Sequence, residues 1–285
     1  MTRIKTIDPQ TASGNAAEFL ASIQAKFKRL LSATIFGVIL SNSAVASTFV
    51  LVHGGFADSH VWDGVKPVLE AQGNQVVTID LPAHGKDTTP ADTVSLTSYV
   101  KAVEAKISGI NGKVILVGHS MGGMVVSQVA ENMPKHIQKI VYANAFVPIN
   151  GESAISLLKQ DKQAILGQYL AFSPDGKFST IKPEGRVVSV CNDCPDSVKE
   201  HLSANGGSEP MQPFYDMVTL TPSHFGKVKK SYIFTTDDKA IGIDLQKWMA
   251  KRANIKQTVS FNTSHLPFVV DPSGYATVLI KISKD

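Results

Sequence analysis

The chain has 285 residues, 43% hydrophobic and 18% charged. That balance excludes a disordered or fibrous protein and provides a core for one domain of moderate size, or a domain with a subdomain. The formal net charge of +4 is unevenly placed: residues 1–46 carry +3 (Arg3, Lys5, Lys26, Lys28 and Arg29 against Asp8 and Glu18), leaving +1 for the rest and no basic face for nucleic acid.

Near the N-terminus, residues 28–46 read as a secretory signal. Lys28 and Arg29 are its charged region. Residues 30–40 are apolar but too few to span a bilayer, so no stable membrane span is expected. Ser43-Ala44-Val45-Ala46 gives the small-residue pattern before a cut near Ser47. The competing reading is an apolar helix of the fold, but the next segment starts a complete domain by itself. A cleaved signal implies a periplasmic or secreted protein; an unused one, a cytoplasmic protein. Residues 1–27, "MTRIKTIDPQTASGNAAEFLASIQAKF", are a long preface for a signal. They resemble the extreme N-terminus of carboxymuconolactone decarboxylase-like proteins, but that family's cysteine motif does not follow. The segment reads as a fusion remnant or a misplaced start, not as a functional domain.

From Ser47 the chain alternates strands and helices. "TFVLVH" is a buried strand, "VWDGVKPVLEAQG" has helical spacing up to Gly73, and "QVVTID" is the next strand. Then come "SLTSYVKAVEAKISGI" (helix), "KVILVG" (strand), "MGGMVVSQVAENM" (helix) and "KIVYANAF" (strand). After an interruption follow "SYIFTT" (strand), "DLQKWMAKRA" (helix), "KQTVSF" (strand) and a last helix after Pro272. Such alternation implies an α/β fold with a mostly parallel sheet covered on both faces. The interruption, 148–228, is too long for a structureless loop, so it is expected to be a helical cap. The core is then 47–147 and 229–285. In the cap, "CNDCP" sets Cys191 and Cys194 at C-x-x-C spacing. No second Cys/His pair accompanies them and no thioredoxin-like context surrounds them. They read as two loop thiols, bridged if the protein is exported, rather than a redox or zinc motif.

The chemistry is carried by "VILVGHSMGGM", which holds G-x-S-x-G at Gly118-His119-Ser120-Met121-Gly122, directly after a strand and before a helix. A tight turn there lifts the Ser120 hydroxyl clear of the sheet, and the helix points backbone N–H groups at any oxyanion formed. A serine nucleophile needs a base. His265 in "NTSHLPFVVDP" lies past the C-terminal end of the last strand, where functional groups of parallel sheets gather. His119 is expected to point into the fold and His53 to be structural. His60, His84, His136, His201 and His224 fit the base position less well. The base needs an acid in the order Ser…Asp…His. "SYIFTTDD" offers Asp237 and Asp238, and neighbours on an extended chain point oppositely, so one of them reaches His265. "VHGGFADSHVW" supplies the oxyanion loop, with the Gly55 N–H expected to donate ahead of Phe56. The second donor is expected to be the Met121 N–H.

In order, "FVLVHGG…W", "VVTIDLPAHG", "VGHSMGGMVV", "VPINGES", "YIFTTDDKAI…Q.WM" and "SHLPFVVDP" resemble the α/β-hydrolase superfamily. The likeness is to its branch of plant methyl-ester hydrolases, hydroxynitrile lyases and related bacterial esterases, over about residues 48–284. That branch begins almost at this first strand, consistent with a mature start near Ser47. The resemblance implies that the acid is Asp238, with Asp237 at a variable position. Lyases of the branch carry a lysine directly after the triad histidine and a threonine after the oxyanion-loop histidine; here those positions are Leu266 and Gly54. Hydrolysis of small, uncharged esters without a metal or organic cofactor is therefore expected. A lactone or carbon–carbon bond hydrolase with the same triad is one rival. A non-catalytic small-molecule binding protein and a structural protein are the others.

Overall fold

A computed structural model describes residues 46–284. The extension at 1–27 and, except for Ala46, the signal at 28–46 lie outside the described residues. Strands β1 (Thr48–Val52), β2 (Gln75–Ile79), β3 (Val114–His119) and β4 (Ile137–Ala143) come first. The next segment contributes β5 (Leu170–Phe172), β6 (Phe178–Ile181) and β7 (Glu209–Pro210), and the chain returns through β8 (Lys229–Thr235) and β9 (Gln257–Phe261). The main sheet runs β2-β1-β3-β4-β8-β9 with every neighbouring pair parallel.

The strand sequences explain this. A strand covered on both faces reads as a continuous apolar run, and β3 is buried at all six positions. Its alternate residues feed two cores. Leu116 joins Val50 and Val52 on one face, under the helices Leu96–Ser108, Gly122–Asn132 and Ile243–Arg252. Ile115 and Val117 join Phe49 and Leu51 on the other, under Lys66–Ala71 and Pro272–Ser283. Each such side chain removed from water contributes about 1.5–3 kcal/mol.

The region expected as one helix over "VWDGVKPVLEAQG" is divided. A 3₁₀ turn covers Ser59–Trp62, and the α-helix starts only at Lys66 with Pro67 in its first turn. Proline lacks the N–H that a helix interior needs, so the helix begins beside it. Between β4 and β8 the chain leaves the sheet. This segment holds the helices Pro183–Val190 and Asp196–Ala204, and also a three-stranded antiparallel sheet, β5-β6-β7. No helix among the described residues is long and apolar enough to cross a membrane.

The order β2-β1-β3 fixes where function can sit. The chain leaves β1 toward β2, then returns to place β3 on the other side of β1. The loops after β1 and β3 diverge there and open a crevice at the carboxyl ends of the strands.

Candidate active site

Ser120 stands at that crevice, directly after β3 and before the helix Gly122–Asn132. Its backbone is left-handed, φ 53°. A non-glycine residue there is strained, by about 1–2 kcal/mol. The turn is as tight as its glycines imply: a Cβ at Gly118 would lie 2.7 Å from the Gly122 carbonyl oxygen. Met121 is the N-cap residue of the helix, with its side chain in the core and its backbone next to Ser120.

His265 and Asp238 lie after β9 and β8, at the same edge of the sheet. His265 Nδ1 is 2.8 Å from Asp238 Oδ2, and both residues are buried. Asp238 Oδ2 also accepts from the Thr235 hydroxyl (2.7 Å), while Oδ1 accepts the N–H groups of Ala240 and Ile241 (2.8 and 2.9 Å). Burial alone would raise the Asp238 carboxyl. The charge and hydrogen bond of His265, with the other donors, outweigh burial and hold its pKa below the ordinary carboxylate value. Asp237 faces the other way, paired with Lys239 Nζ at 2.9 Å and about half exposed.

Sequence reasoning missed Asn144. It follows β4 with a left-handed backbone, φ 36°, which Asn tolerates better than most residues. Its Nδ2 lies 3.2 Å from Asp238 Oδ2 and 2.9 Å from the His265 carbonyl oxygen. With the His265 Nδ1–H directed at Asp238, the Asn144 amide protons go to those two oxygens and tie the two loops together. The available signal was an Asn at the end of an apolar strand.

The loop after β1 is held by a second residue that the sequence did not reveal. Glu209 of β7 is fully buried. Its Oε2 accepts the Phe56 N–H at 2.6 Å and lies 3.0 Å from His84 Nε2. Burial would push the His84 imidazole down, but the hydrogen bond and charge of Glu209 outweigh it and raise its pKa. Phe56 is itself left-handed, φ 57°. Gly55 and Phe56 both line the crevice, but the Phe56 N–H is committed to Glu209.

Ser120, His265 and Gly55 share the wall of a cavity of about 670 Å³. Leu158, Leu166, Ile181, Val198, Leu202 and Phe214 make much of its apolar lining. Its size and apolar character suit a small organic molecule. His119 reaches the His265 carbonyl through Nε2 at 3.1 Å. Burial, and then the neighbouring His265, push its pKa well below 6.5. His53 is neutral for the same reason: burial, then His84, lower it to about 3. Cys191 and Cys194 are joined in a disulfide.

The turn, the paired side chains and the topology that brings them to one sheet edge define a class, the α/β hydrolases. Residues 49–278 match the alpha/beta hydrolase family, and the chain belongs to that family. Among its relatives is methylesterase 8 of Arabidopsis thaliana, 27% identical over 263 residues, covering 89% of this chain and 96% of that protein. Salicylic acid-binding protein 2 of Nicotiana tabacum is 27% identical, covering 82% of this chain and 96% of that protein. The crystal structure of polyneuridine aldehyde esterase superposes with a TM-score of 0.74 at 23% identity, covering 84% of this chain and 99% of the other, and so shares its fold. The fold class and the plant methylesterase branch read from the motifs are both borne out.

Proposed function

We propose that the protein is a serine hydrolase that cleaves small carboxylic esters through Ser120, His265 and Asp238 by way of an acyl-enzyme. The observation that carries this reading is the buried 2.8 Å contact of Asp238 with His265 on the cavity that Ser120 also lines. Its relatives named methylesterase and esterase point to the same bond type. His265 takes the Ser120 hydroxyl proton as the oxygen attacks the ester carbonyl. The N–H groups of Gly55 and Met121 hold the oxyanion, each worth about 3–4 kcal/mol in the transition state. The intermediate collapses, and His265 returns the proton to the leaving alcohol. Water, deprotonated by His265, then releases the acid and restores Ser120. Asp238 keeps the imidazole in the required tautomer throughout.

In this reading residues 47–147 and 229–285 carry the catalytic groups, and the cap at 148–228 shapes the pocket. The apolar walls favour an uncharged aliphatic or aromatic acyl group. The test is turnover of short-chain aryl esters by the purified protein, with Ser120→Ala alongside. Undiminished turnover by that variant would refute the assignment. A panel of lactones separates the lactonase alternative, which would use the same groups. The Cys191–Cys194 bridge supports an exported protein, since such bonds persist in oxidising compartments. Mass measurement of the exported chain, with an N-terminus near Ser47 expected, checks this.

A further inference from the structure

We propose that the cap loop 190–194, closed by its disulfide, is the positioning element for the base and acid loops, so that full turnover requires the oxidised Cys191–Cys194 pair. The proposal rests on the reading of Ser120, His265 and Asp238 given above.

The loop touches the chain at and beside both groups. The His265 N–H donates to the Val190 carbonyl at 3.2 Å. The Ser264 N–H donates to Asp193 Oδ2 at 2.9 Å, and the Ser264 hydroxyl donates to Asp193 Oδ1. Asn192 Nδ2 donates to Asp237 Oδ2 at 3.3 Å, next to Asp238 in the chain. Val190 at the end of its helix, with Asn192 and Asp193 in the loop after it, therefore anchors His265, the residue before it and the residue before Asp238. The disulfide is buried, with Cys191 fully enclosed and Cys194 2% exposed, in the same apolar cluster as Leu266 and Phe268.

The sheet shows why this anchor is needed. The strand that delivers His265, β9, lies at the edge and has a ladder partner, β8, on one side only. An edge strand leaves its other row of backbone groups without a sheet neighbour. The loop beyond it is held from the core by Asn144 and His119 on the His265 carbonyl, and from the cap by the 190–194 loop. Asp193 supplies two of those bonds, and the covalent Cys191–Cys194 closure limits how Asp193 and the Val190 carbonyl are presented. Asp238 fixes the ring of His265; Asn144 and His119 hold its carbonyl, and the 190–194 loop holds its N–H and the residue before it. A displacement of about 1 Å at such a group can cost on the order of 100-fold in rate.

Reduction by a small dithiol breaks the S–S bond with two electrons and two protons. Cys191 and Cys194 become thiols, and the reductant becomes a disulfide. The tight closure is then lost while Ser120, Asp238 and His265 stay chemically intact.

The experiment compares Asp193→Ala, Asp193→Asn and the double variant Cys191→Ser/Cys194→Ser with wild type, using kcat, KM and Tm on one aryl ester. Ser120→Ala runs alongside. Asp193→Ala and the cysteine variant should lose at least tenfold in kcat with KM within threefold. Asp193→Asn should recover most of kcat, because its Oδ1 accepts the Ser264 N–H and its amide reaches the Ser264 hydroxyl. If the cysteine variant does not fold, wild type assayed before and after reduction by a small dithiol, with the freed thiols counted, decides the disulfide claim, and the two Asp193 variants decide the anchor. The proposal is overturned if kcat of Asp193→Ala, of a folded cysteine variant or of reduced wild type stays within twofold of the oxidised wild type, if Tm falls while kcat stands, or if Asp193→Asn recovers nothing. Turnover by Ser120→Ala would instead overturn the reading of the site itself, and this proposal with it.

Discussion

The choice between two adjacent aspartates gives the sharpest test of the site. Asp238 is 4% exposed, and every group around it is a donor. Oδ1 accepts two backbone N–H groups; Oδ2 faces His265 Nδ1, the Thr235 hydroxyl and the amides of Asn144 and Gln246. In Asp238→Asn the new NH₂ must meet one of these sets. Turned to the Oδ1 side, it leaves two buried N–H donors without an acceptor, at about 1–3 kcal/mol each. Turned to the Oδ2 side, it faces the imidazole with a donor and drives His265 to the tautomer that cannot take a proton from Ser120. The corresponding change in a serine protease triad lowers kcat about 10⁴-fold, or roughly 5.5 kcal/mol. Asp237 is half exposed, and its ion pair with Lys239 belongs to a class worth about 0–1 kcal/mol. Asp237→Asn also keeps an acceptor for Asn192. Initial rates on an aryl ester should therefore fall by three to four decades, roughly, for Asp238→Asn and stay near wild type for Asp237→Asn. Circular dichroism would show both proteins folded. A crippled Asp237→Asn, or an Asp238→Asn protein within tenfold of wild type, would refute the reasoning.

Two further predictions concern groups behind the site. Glu209→Ala orphans the Phe56 N–H and strips His84 of its partner, at about 1–3 kcal/mol for each buried group left unpaired, so Tm and kcat should both fall. Glu209→Gln keeps an acceptor for Phe56 and should lose less; equal Tm values for all three proteins would count against this. His53 and His119 should make the fold acid-sensitive. His53 shares its Nδ1 proton with the Gly54 carbonyl and accepts the Leu81 N–H at Nε2, so it has no site for a second proton. Its folded pKa is about 3 against an ordinary 6.5, and that of His119 is also well below 6.5. Below pH 6.5 the unfolded chain therefore binds protons that the folded one does not, and stability falls with pH by about 1.4 kcal/mol per unit for each histidine. His84, whose pKa is raised, acts oppositely; its contribution is fully present below 6.5 and is lost only as pH rises through the raised value. Urea denaturation at pH 7 and pH 5 should differ by about 2 kcal/mol per buried neutral histidine, and unchanged midpoints would contradict the assignment.

The core was legible because its elements are locally determined. A continuous apolar run such as "VILVG" has few alternatives to a buried parallel strand, and G-x-S-x-G between a strand and a helix has little structural freedom. The order of Ser120, one of Asp237 and Asp238, and His265 could be placed for the same reason; the choice of Asp238 came from the family resemblance. What stayed hidden depends on contacts between distant segments. Glu209 meets His84 and Phe56 across 125 and 153 residues, Asn144 meets Asp238 across 94, and Asp193 meets Ser264 across 71. Nothing in "SEPMQ" or "CNDC" announces such partners. The antiparallel sheet β5-β6-β7 was hidden for a related reason: its strands are two to four residues long, too short for alternation to register.

Two of the hidden residues, Glu209 and Asp193, lie in the cap, and this bears on what the cap does. A cap that only shapes the pocket would meet the core through apolar side chains such as Leu158 and Phe214. This one also sends polar groups to the loops that carry the proposed chemistry. Glu209 reaches the Phe56 N–H beyond β1, and Asp193 reaches Ser264 beyond β9. Asn192 reaches Asp237 beyond β8. Each is a directional bond to backbone or side chain within one residue of a proposed catalytic group, so movement of the cap is transmitted to the geometry of the reaction. Specificity and rate are then coupled through the same segment. A substitution that reshapes the pocket leaves kcat intact only if these bonds survive it, which makes Glu209 and the 190–194 loop the positions to hold fixed when the cap is altered.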